Sequence, residues 1–128
     1  MSSAGQTYAA GSATAPGAKF EAWLWIAQRA SAAVLALCVL VHLVTIIYAV
    51  RHGLTGAAIL GRTQGNGAAL AFYTLYVLAI AVHAPIGLRT LCQEWLGWRS
   101  ASLNWVVAGI ALALFAFGLR AGWAVFSA

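Results

Sequence analysis

The chain has 128 residues, of which 63% are hydrophobic and only 7% are charged. A soluble domain carries about 25% charged residues, so this composition excludes an ordinary soluble protein and predicts an integral membrane protein in contact with lipid. The formal net charge is +5, but the basic residues stand at the predicted helix ends, where they anchor a chain against headgroups. The sequence contains no basic patch interleaved with aromatic residues, which is the pattern that would predict nucleic-acid binding.

The first predicted unit is a flexible N-terminal tail, residues 1–19. It consists mainly of Ala, Gly, Ser and Thr and contains no apolar core. The tail lacks the basic segment followed by a short hydrophobic stretch that marks a cleaved signal peptide, so no signal peptide is predicted. The second predicted unit, residues 20–128, is the membrane anchor.

Three apolar runs of the anchor are each long enough to span a bilayer, which takes about 20 residues. They predict helices over residues of about 23–50, 68–91 and 103–126. Between the first two runs, residues 53–67 hold five glycines and predict a loop. Residues 92–102 predict an interfacial connection. The fold class is therefore an all-α membrane protein with three transmembrane helices.

The distribution of lysine and arginine predicts the orientation. The side of the N-terminus carries four such residues: Lys19, Arg29, Arg89 and Arg99. The opposite side carries three: Arg51, Arg62 and Arg120. Because cytoplasmic loops carry the excess of positive charge, the N-terminus is expected on the cytoplasmic side.

His83 lies at membrane depth in the second span. An ionisable side chain costs at least a few kcal/mol there, so it usually faces a partner or a cofactor. A neutral imidazole is a natural axial ligand for haem iron, and Gly87, one turn later, leaves room on the same face for a flat macrocycle. The sequence therefore predicts a b-type haem. The alternative is that His83 bonds a neighbouring helix, and that Pro85 and Gly87 form a kink without a cofactor.

His42, in the first span, is expected at another depth. At about 1.5 Å of rise per residue it lies about 13 Å before Arg51, whereas His83 lies about 9 Å before Arg89 on an antiparallel helix. The two depths differ by about 5–15 Å over a core of about 30 Å. The histidines of one chain are therefore not expected to bind the same iron, and each would need a histidine from another chain. A packing role for His42 remains open.

The second span carries a pattern that resembles a known family. His83, Gly87, Arg89 and Glu94 follow His-x3-Gly-x-Arg-x4-Glu, which is similar to the second-helix signature of the cytochrome b membrane subunit of succinate dehydrogenase and fumarate reductase. In that family the histidine is an axial ligand of haem.

The first span adds a second resemblance. Its stretch Gln28-Arg29-Ala30-Ser31 is similar to the family's His-Arg-x-Ser/Thr-Gly opening, although Trp25 and Ala32 stand where the family usually has serine and glycine. His42 is similar to a histidine of the five-helix, two-haem anchors, of which this chain resembles one half. The whole resemblance covers residues of about 20–126.

The resemblance implies a haem b-binding anchor subunit of a succinate:quinone oxidoreductase in a bacterial-type inner membrane. Such an anchor passes electrons between an iron–sulfur subunit and membrane quinone, its substrate. A flavoprotein subunit would do the dicarboxylate chemistry, for which this chain has neither a Rossmann fingerprint nor cluster-type cysteine spacing. A second anchor chain, or a second copy of this one, would complete the bundle around one or two haems.

The resemblance also implies roles for particular residues: His83 and His42 as axial ligands, Arg29 and Arg89 at the haem propionates, Ser31 and Arg29 at the quinone, and Glu94 in proton uptake. The arginines could instead be snorkelling anchors, and Glu94 ordinary interface. Two other functions remain open: a haem-carrying membrane subunit of another respiratory oxidoreductase, and a haemless protein that only anchors or assembles a partner.

Overall fold

The computed structural model describes residues 16–128, which form four helices. These are α1 (Pro16–His52), α2 (Gly56–Thr63), α3 (Gly67–Trp95) and α4 (Ala101–Ser127). Helices α1, α3 and α4 are long and apolar enough to cross a membrane. This confirms the prediction of an all-α membrane protein with three membrane-spanning helices.

Helix α1 is longer than its apolar run. Its 37 residues correspond to about 55 Å, against a bilayer core of about 30 Å, so it extends beyond the hydrocarbon region. Residues 16–19, expected in the tail, are helical instead, because each residue added to an existing helix costs little once the helix is nucleated. Residues 1–15 of the expected tail lie outside the described residues.

The loop expected over residues 53–67 is wrong for residues 56–63, which form α2. Gly53, with φ 117°, ends α1 in a backbone conformation that favours glycine. Thr55 then caps α2, since its hydroxyl accepts a hydrogen bond of 3.2 Å from the backbone N–H of Ala58. The five glycines suggested a loop, but only Gly61 lies in the interior of α2. The other four lie at helix ends or in the connecting turns, where they do not break the helix.

Helix α3 lies at the centre and packs against both α1 and α4. One of its contacts with α4 is at Gly118, where a Cβ would lie 2.5 Å from Val77 Cγ1, so glycine allows an approach that a side chain would prevent. The α2 region is held to the end of α4. The single hydroxyl hydrogen of Thr63 is shared between the carbonyls of Ile59 at 3.0 Å and Val125 at 3.2 Å, and the Gly65 N–H donates to the carbonyl of Phe126 at 3.0 Å. These bonds satisfy carbonyls that a helix end leaves free.

The core of the described chain is small, and the outward faces of the helices are apolar. Cys38 and Leu103 are almost completely buried, whereas Leu37 and Val44 are each about two-thirds exposed. Lipid or another helix can cover such surfaces without a hydrophobic penalty. Completion of the bundle by another chain stays a prediction.

Candidate functional site

The polar residues of the membrane region gather where α1 packs against α3. Ser31, Cys38 and His42 recur at helical spacing on one side of α1; the first two are buried and His42 is half-buried. Helix α3 presents Tyr76 and His83 towards them. The seam between the two helices therefore holds both histidines that the sequence singled out.

His83 contacts Ser31 directly. The His83 Nδ1 atom lies 3.4 Å from Ser31 Oγ, a long hydrogen bond, and the Ser31 hydroxyl donates to the backbone carbonyl of Gln28 at 3.1 Å. With its hydrogen directed to that carbonyl, Ser31 Oγ can accept a hydrogen bond when the proton of the His83 ring is on Nδ1. This favours the tautomer in which Nε2 carries the free lone pair.

His42 has different neighbours. Its ring lies 6.0 Å from that of Tyr73 and 5.7 Å from that of Tyr76, centroid to centroid. Within the described part of the chain, its buried Nδ1 has no hydrogen-bond partner. At about 1.5 Å of rise per residue, Ser31 and His42 are about 16 Å apart along α1, and Tyr76 and His83 about 10 Å apart along α3. The two histidines thus lie at two levels of the same seam.

Arg89 is buried, with 8% of its surface exposed, and it joins three helices. Its guanidinium binds both carboxylate oxygens of Glu21 on α1, at 2.6 and 3.0 Å. Its Nε donates to Asn104 Oδ1 on α4 at 2.9 Å, and Nη1 reaches Gln93 Oε1 at 3.4 Å. Four of its five N–H donors are thereby used, so a haem propionate could accept from the remaining Nη2 hydrogen but could form a two-bond pair with Arg89 only by displacing Glu21.

Sequence reasoning missed this role of Glu21. The signal was present, because a buried arginine needs a counter-charge and the chain has only two acidic residues, Glu21 and Glu94. The hydrogen bond to Asn104 had no comparable signal, since it depends on how α4 packs beside α3.

A cleft of about 540 Å³ opens between the beginning of α1 and the end of α3; we call it the N-side cleft. Among the residues that line it are Trp25, Gln28, Arg29, Gly87, Thr90 and Glu94. The exposed Arg29 guanidinium lies 4.1 Å from the centre of the Trp25 ring, a cation–π contact that holds the charge at the cleft. Trp25, which stands where the family that this sequence resembles usually has serine, therefore positions the Arg29 guanidinium.

The N-side cleft brings together three of the predicted site residues, Arg29, Arg89 and Glu94. Ser31 is not among its lining residues and lies against His83 instead. His42 lines a second cavity, of about 670 Å³, between α1, α2 and α3, which we call the loop-side cavity. Arg62, which donates to the Gly53 carbonyl at 2.5 Å, also lines that cavity, which the sequence did not predict because its wall includes α2.

Gly87 has a neighbour that the sequence did not suggest. A Cβ at this position would lie 3.2 Å from Gln28 Nε2, so the bare side of Gly87 accommodates the side-chain amide of α1. The glycine of the second-helix pattern thus permits close packing of α1 and α3 in this chain.

A protein-family model described as succinate dehydrogenase/fumarate reductase transmembrane subunit matches residues 10–120. No curated protein matches the chain, and no solved structure does.

Proposed function

Because the chain belongs to the succinate dehydrogenase/fumarate reductase transmembrane subunit family, we propose that it is the haem b-binding membrane anchor of a succinate:quinone oxidoreductase. It passes electrons between an iron–sulfur subunit and membrane quinone, while a flavoprotein subunit carries out the dicarboxylate chemistry. The part of this chain is to bind the haem and to position the quinone within the bilayer.

The observation that carries the proposal is the contact between His83 and Ser31. A histidine that binds iron through Nε2 needs its proton on Nδ1, and that proton needs an acceptor that fixes the ring. Ser31 Oγ is such an acceptor, 3.4 Å from Nδ1, with its own hydrogen donated to Gln28 O. These residues fit an axial ligand of haem b, which when bound supplies one-electron redox chemistry.

The N-side cleft is the proposed quinone site. Arg29 is held at the cleft by Trp25, so it is available to a quinone oxygen or to a haem propionate as a charged hydrogen-bond donor. Glu94, exposed at the same cleft, is placed to relay protons to reduced quinone. Ser31 contacts His83 and does not line this cleft, so its contact with quinone stays a prediction that this proposal does not require. A propionate role for Arg89 stays a prediction, in which a two-bond pair requires the release of Glu21.

His42 is proposed as the ligand of a second haem at the level of the loop-side cavity, with its partner histidine on another anchor chain or on a second copy of this chain. The support is the separation of the two histidines along α1 and α3, which prevents one flat macrocycle from using both. The buried Nδ1 of His42 has no partner among residues 16–128 and would need a hydrogen-bond acceptor once Nε2 bound the iron.

We place the iron–sulfur subunit at the end of the molecule that carries the N-side cleft, on the cytoplasmic side of a bacterial-type inner membrane. This end also exposes Trp23, Trp95 and Trp105, each by 70% or more. Exposed aromatic residues of this kind suit both a headgroup belt and a protein interface.

The test is a reduced-minus-oxidised absorbance spectrum of the purified complex, in wild type and in His83→Ala and His42→Ala. His52→Ala is the matched control, because His52 is exposed at the end of α1, where it hydrogen-bonds the Tyr48 carbonyl and stacks on the Tyr48 ring. Loss of b-type absorbance in His83→Ala, with an unaltered control, is the expected result.

Loss of a different part of the spectrum in His42→Ala would support two haems, whereas an unaltered spectrum there would make His42 a packing residue. A full spectrum in His83→Ala refutes the axial role of His83. A spectrum that succinate does not reduce points to another respiratory oxidoreductase, and a wild-type complex without haem absorbance leaves only the anchoring role.

A further inference from the structure

The side chain of Gln28 carries a buried hydrogen-bond acceptor that nothing in the described chain uses. Gln28 lies on α1 at the N-side cleft, and its Oε1 is buried without a hydrogen-bond partner among residues 16–128. A buried acceptor left unsatisfied is destabilising, because it has lost its hydrogen bond to water without gaining another. Gln28 lines the cleft, and because the terminal torsion of a glutamine is broad, the side chain can turn this acceptor towards a donor that enters the cleft from outside the chain.

The hydroxyl groups nearest to Gln28 have other partners. Ser31 Oγ donates to the backbone carbonyl of Gln28 itself, and Thr90 Oγ1, on the wall of the cleft, donates to the Ile86 carbonyl at 3.2 Å. The Arg89 N–H groups bind Glu21, Gln93 and Asn104. The two hydroxyls are therefore not available to Gln28 Oε1 without the loss of an existing hydrogen bond, and no N–H of Arg89 lies within hydrogen-bond distance of that atom.

The position of the amide depends on Gly87. A Cβ at residue 87 would lie 3.2 Å from Gln28 Nε2, closer than most Cβ contacts, so the amide would have to shift. Glycine at this place lets the amide lie across α3 with its nitrogen against the helix. The cleft, at about 540 Å³, is within the range of roughly 300–1,000 Å³ that is usual for small-molecule sites.

We propose that Gln28 Oε1 is the acceptor for a ring hydroxyl of the reduced quinone, so that Gln28 makes the N-side cleft bind quinol more tightly than quinone. The chemistry of the two forms gives the reason: a quinol hydroxyl donates a hydrogen bond, whereas a quinone carbonyl only accepts one. Arg29, at the same cleft, can donate a hydrogen bond to the oxygen of either form and therefore does not distinguish quinol from quinone. The inference rests on the proposed function, that this chain binds quinone.

The experiment compares the two directions of the reaction in the purified, assembled complex. In one direction succinate reduces a short-tailed quinone; in the other a short-tailed quinol gives two electrons and two protons to fumarate, which becomes succinate. The variants are Gln28→Met, which keeps the length of the side chain without an acceptor, and Gln28→His, which keeps an acceptor nitrogen. Gln64→Met is the matched control, since Gln64 is an exposed glutamine next to α2, at the opposite end of the molecule.

Gln28→Met is expected to raise the KM for quinol roughly 5- to 10-fold, the effect of one lost hydrogen bond of about 1 kcal/mol. The KM for quinone should change less than about 2-fold, because its carbonyl makes no bond to Oε1. Gln28→His should restore the KM for quinol to within about 2-fold of wild type. Reduction of an artificial dye by succinate, and the haem spectrum, should be unaltered.

An equal rise in both KM values, or no rise, overturns the inference, since a merely structural glutamine would affect both directions alike. If Gln28→Met does not assemble, Gln28→Asn, which withdraws the amide by one methylene, replaces it with the same expected shift. Failure of both variants to assemble makes Gln28 a packing residue and overturns the inference. A wild-type complex that reduces the dye but no quinone overturns the proposed function itself, independently of any variant.

Discussion

The Arg89 cluster is expected to hold the cleft end of the bundle together, and a double-mutant cycle on Arg89 and Glu21 tests this. The cluster links α1, α3 and α4 through one guanidinium, and α3 otherwise mediates between α1 and α4. The substitutions are Glu21→Gln, which keeps the shape and one acceptor but removes the charge, and Arg89→Gln.

The magnitude follows from the exposure of the two side chains, 10% for Arg89 and 56% for Glu21. Breaking a fully buried ion pair costs about 3–5 kcal/mol, whereas an exposed pair contributes about 0–1 kcal/mol. This pair is half-exposed on the side of the acid, so solvent screening reduces its value. We expect a coupling energy of about 1–2 kcal/mol between the two sites.

The assay is unfolding of the purified complex in detergent micelles of increasing dodecyl sulfate content, followed by tryptophan fluorescence. Glu94→Gln is the control, because it removes the other acidic side chain of the chain, which is exposed at the same cleft. A coupling energy below about 0.5 kcal/mol, or an equal loss of stability in Glu94→Gln, would refute the reasoning.

Three further outcomes follow from single contacts. Gly118→Ala, with a Cβ 2.5 Å from a side-chain carbon of α3, should destabilise the complex by about 1–3 kcal/mol in the same assay; Gly109→Ala, in open space, should not. Thr63→Val, which loses its bond to the end of α4, should speed amide hydrogen exchange in α2 about fivefold, and unchanged exchange would contradict this. Ser31→Ala should keep the haem but shift its reduction potential, since the hydrogen bond on His83 Nδ1 is lost; an unchanged potential would count against the contact.

The two levels of the α1–α3 seam have different chemistry. The level of His83 is continuous with charged residues: Arg29, Arg89 and Glu94 lie at the N-side cleft within three turns of it. The level of His42 is mainly aromatic, with Tyr73 and Tyr76 around the ring. Because charge is concentrated at the first level, we expect proton and quinone chemistry there, and electron transfer alone at the second.

The sequence by itself determined the class of the fold and singled out the two histidines that lie on the α1–α3 seam. Three continuous apolar runs of about 20 residues or more favour membrane-spanning helices, because a helix satisfies all backbone hydrogen bonds within one segment of the bilayer core. The histidines in those runs were conspicuous because ionisable groups are rare and costly in lipid. Helical periodicity then put His42 on the face of α1 that carries Ser31, and that face does pack against α3.

Only the tertiary structure decided which polar groups meet. Glu21 and Arg89 are 68 residues apart in the chain and contact one another, and Gln28 faces Gly87 across two helices; neither pairing has a local pattern. Helix α2 was hidden because its cap and its contacts with α4, rather than its glycine-rich composition, stabilise it. Periodicity specifies the face of a helix, whereas the rotation and height at which two helices pack depend on the fit of all their side chains at once.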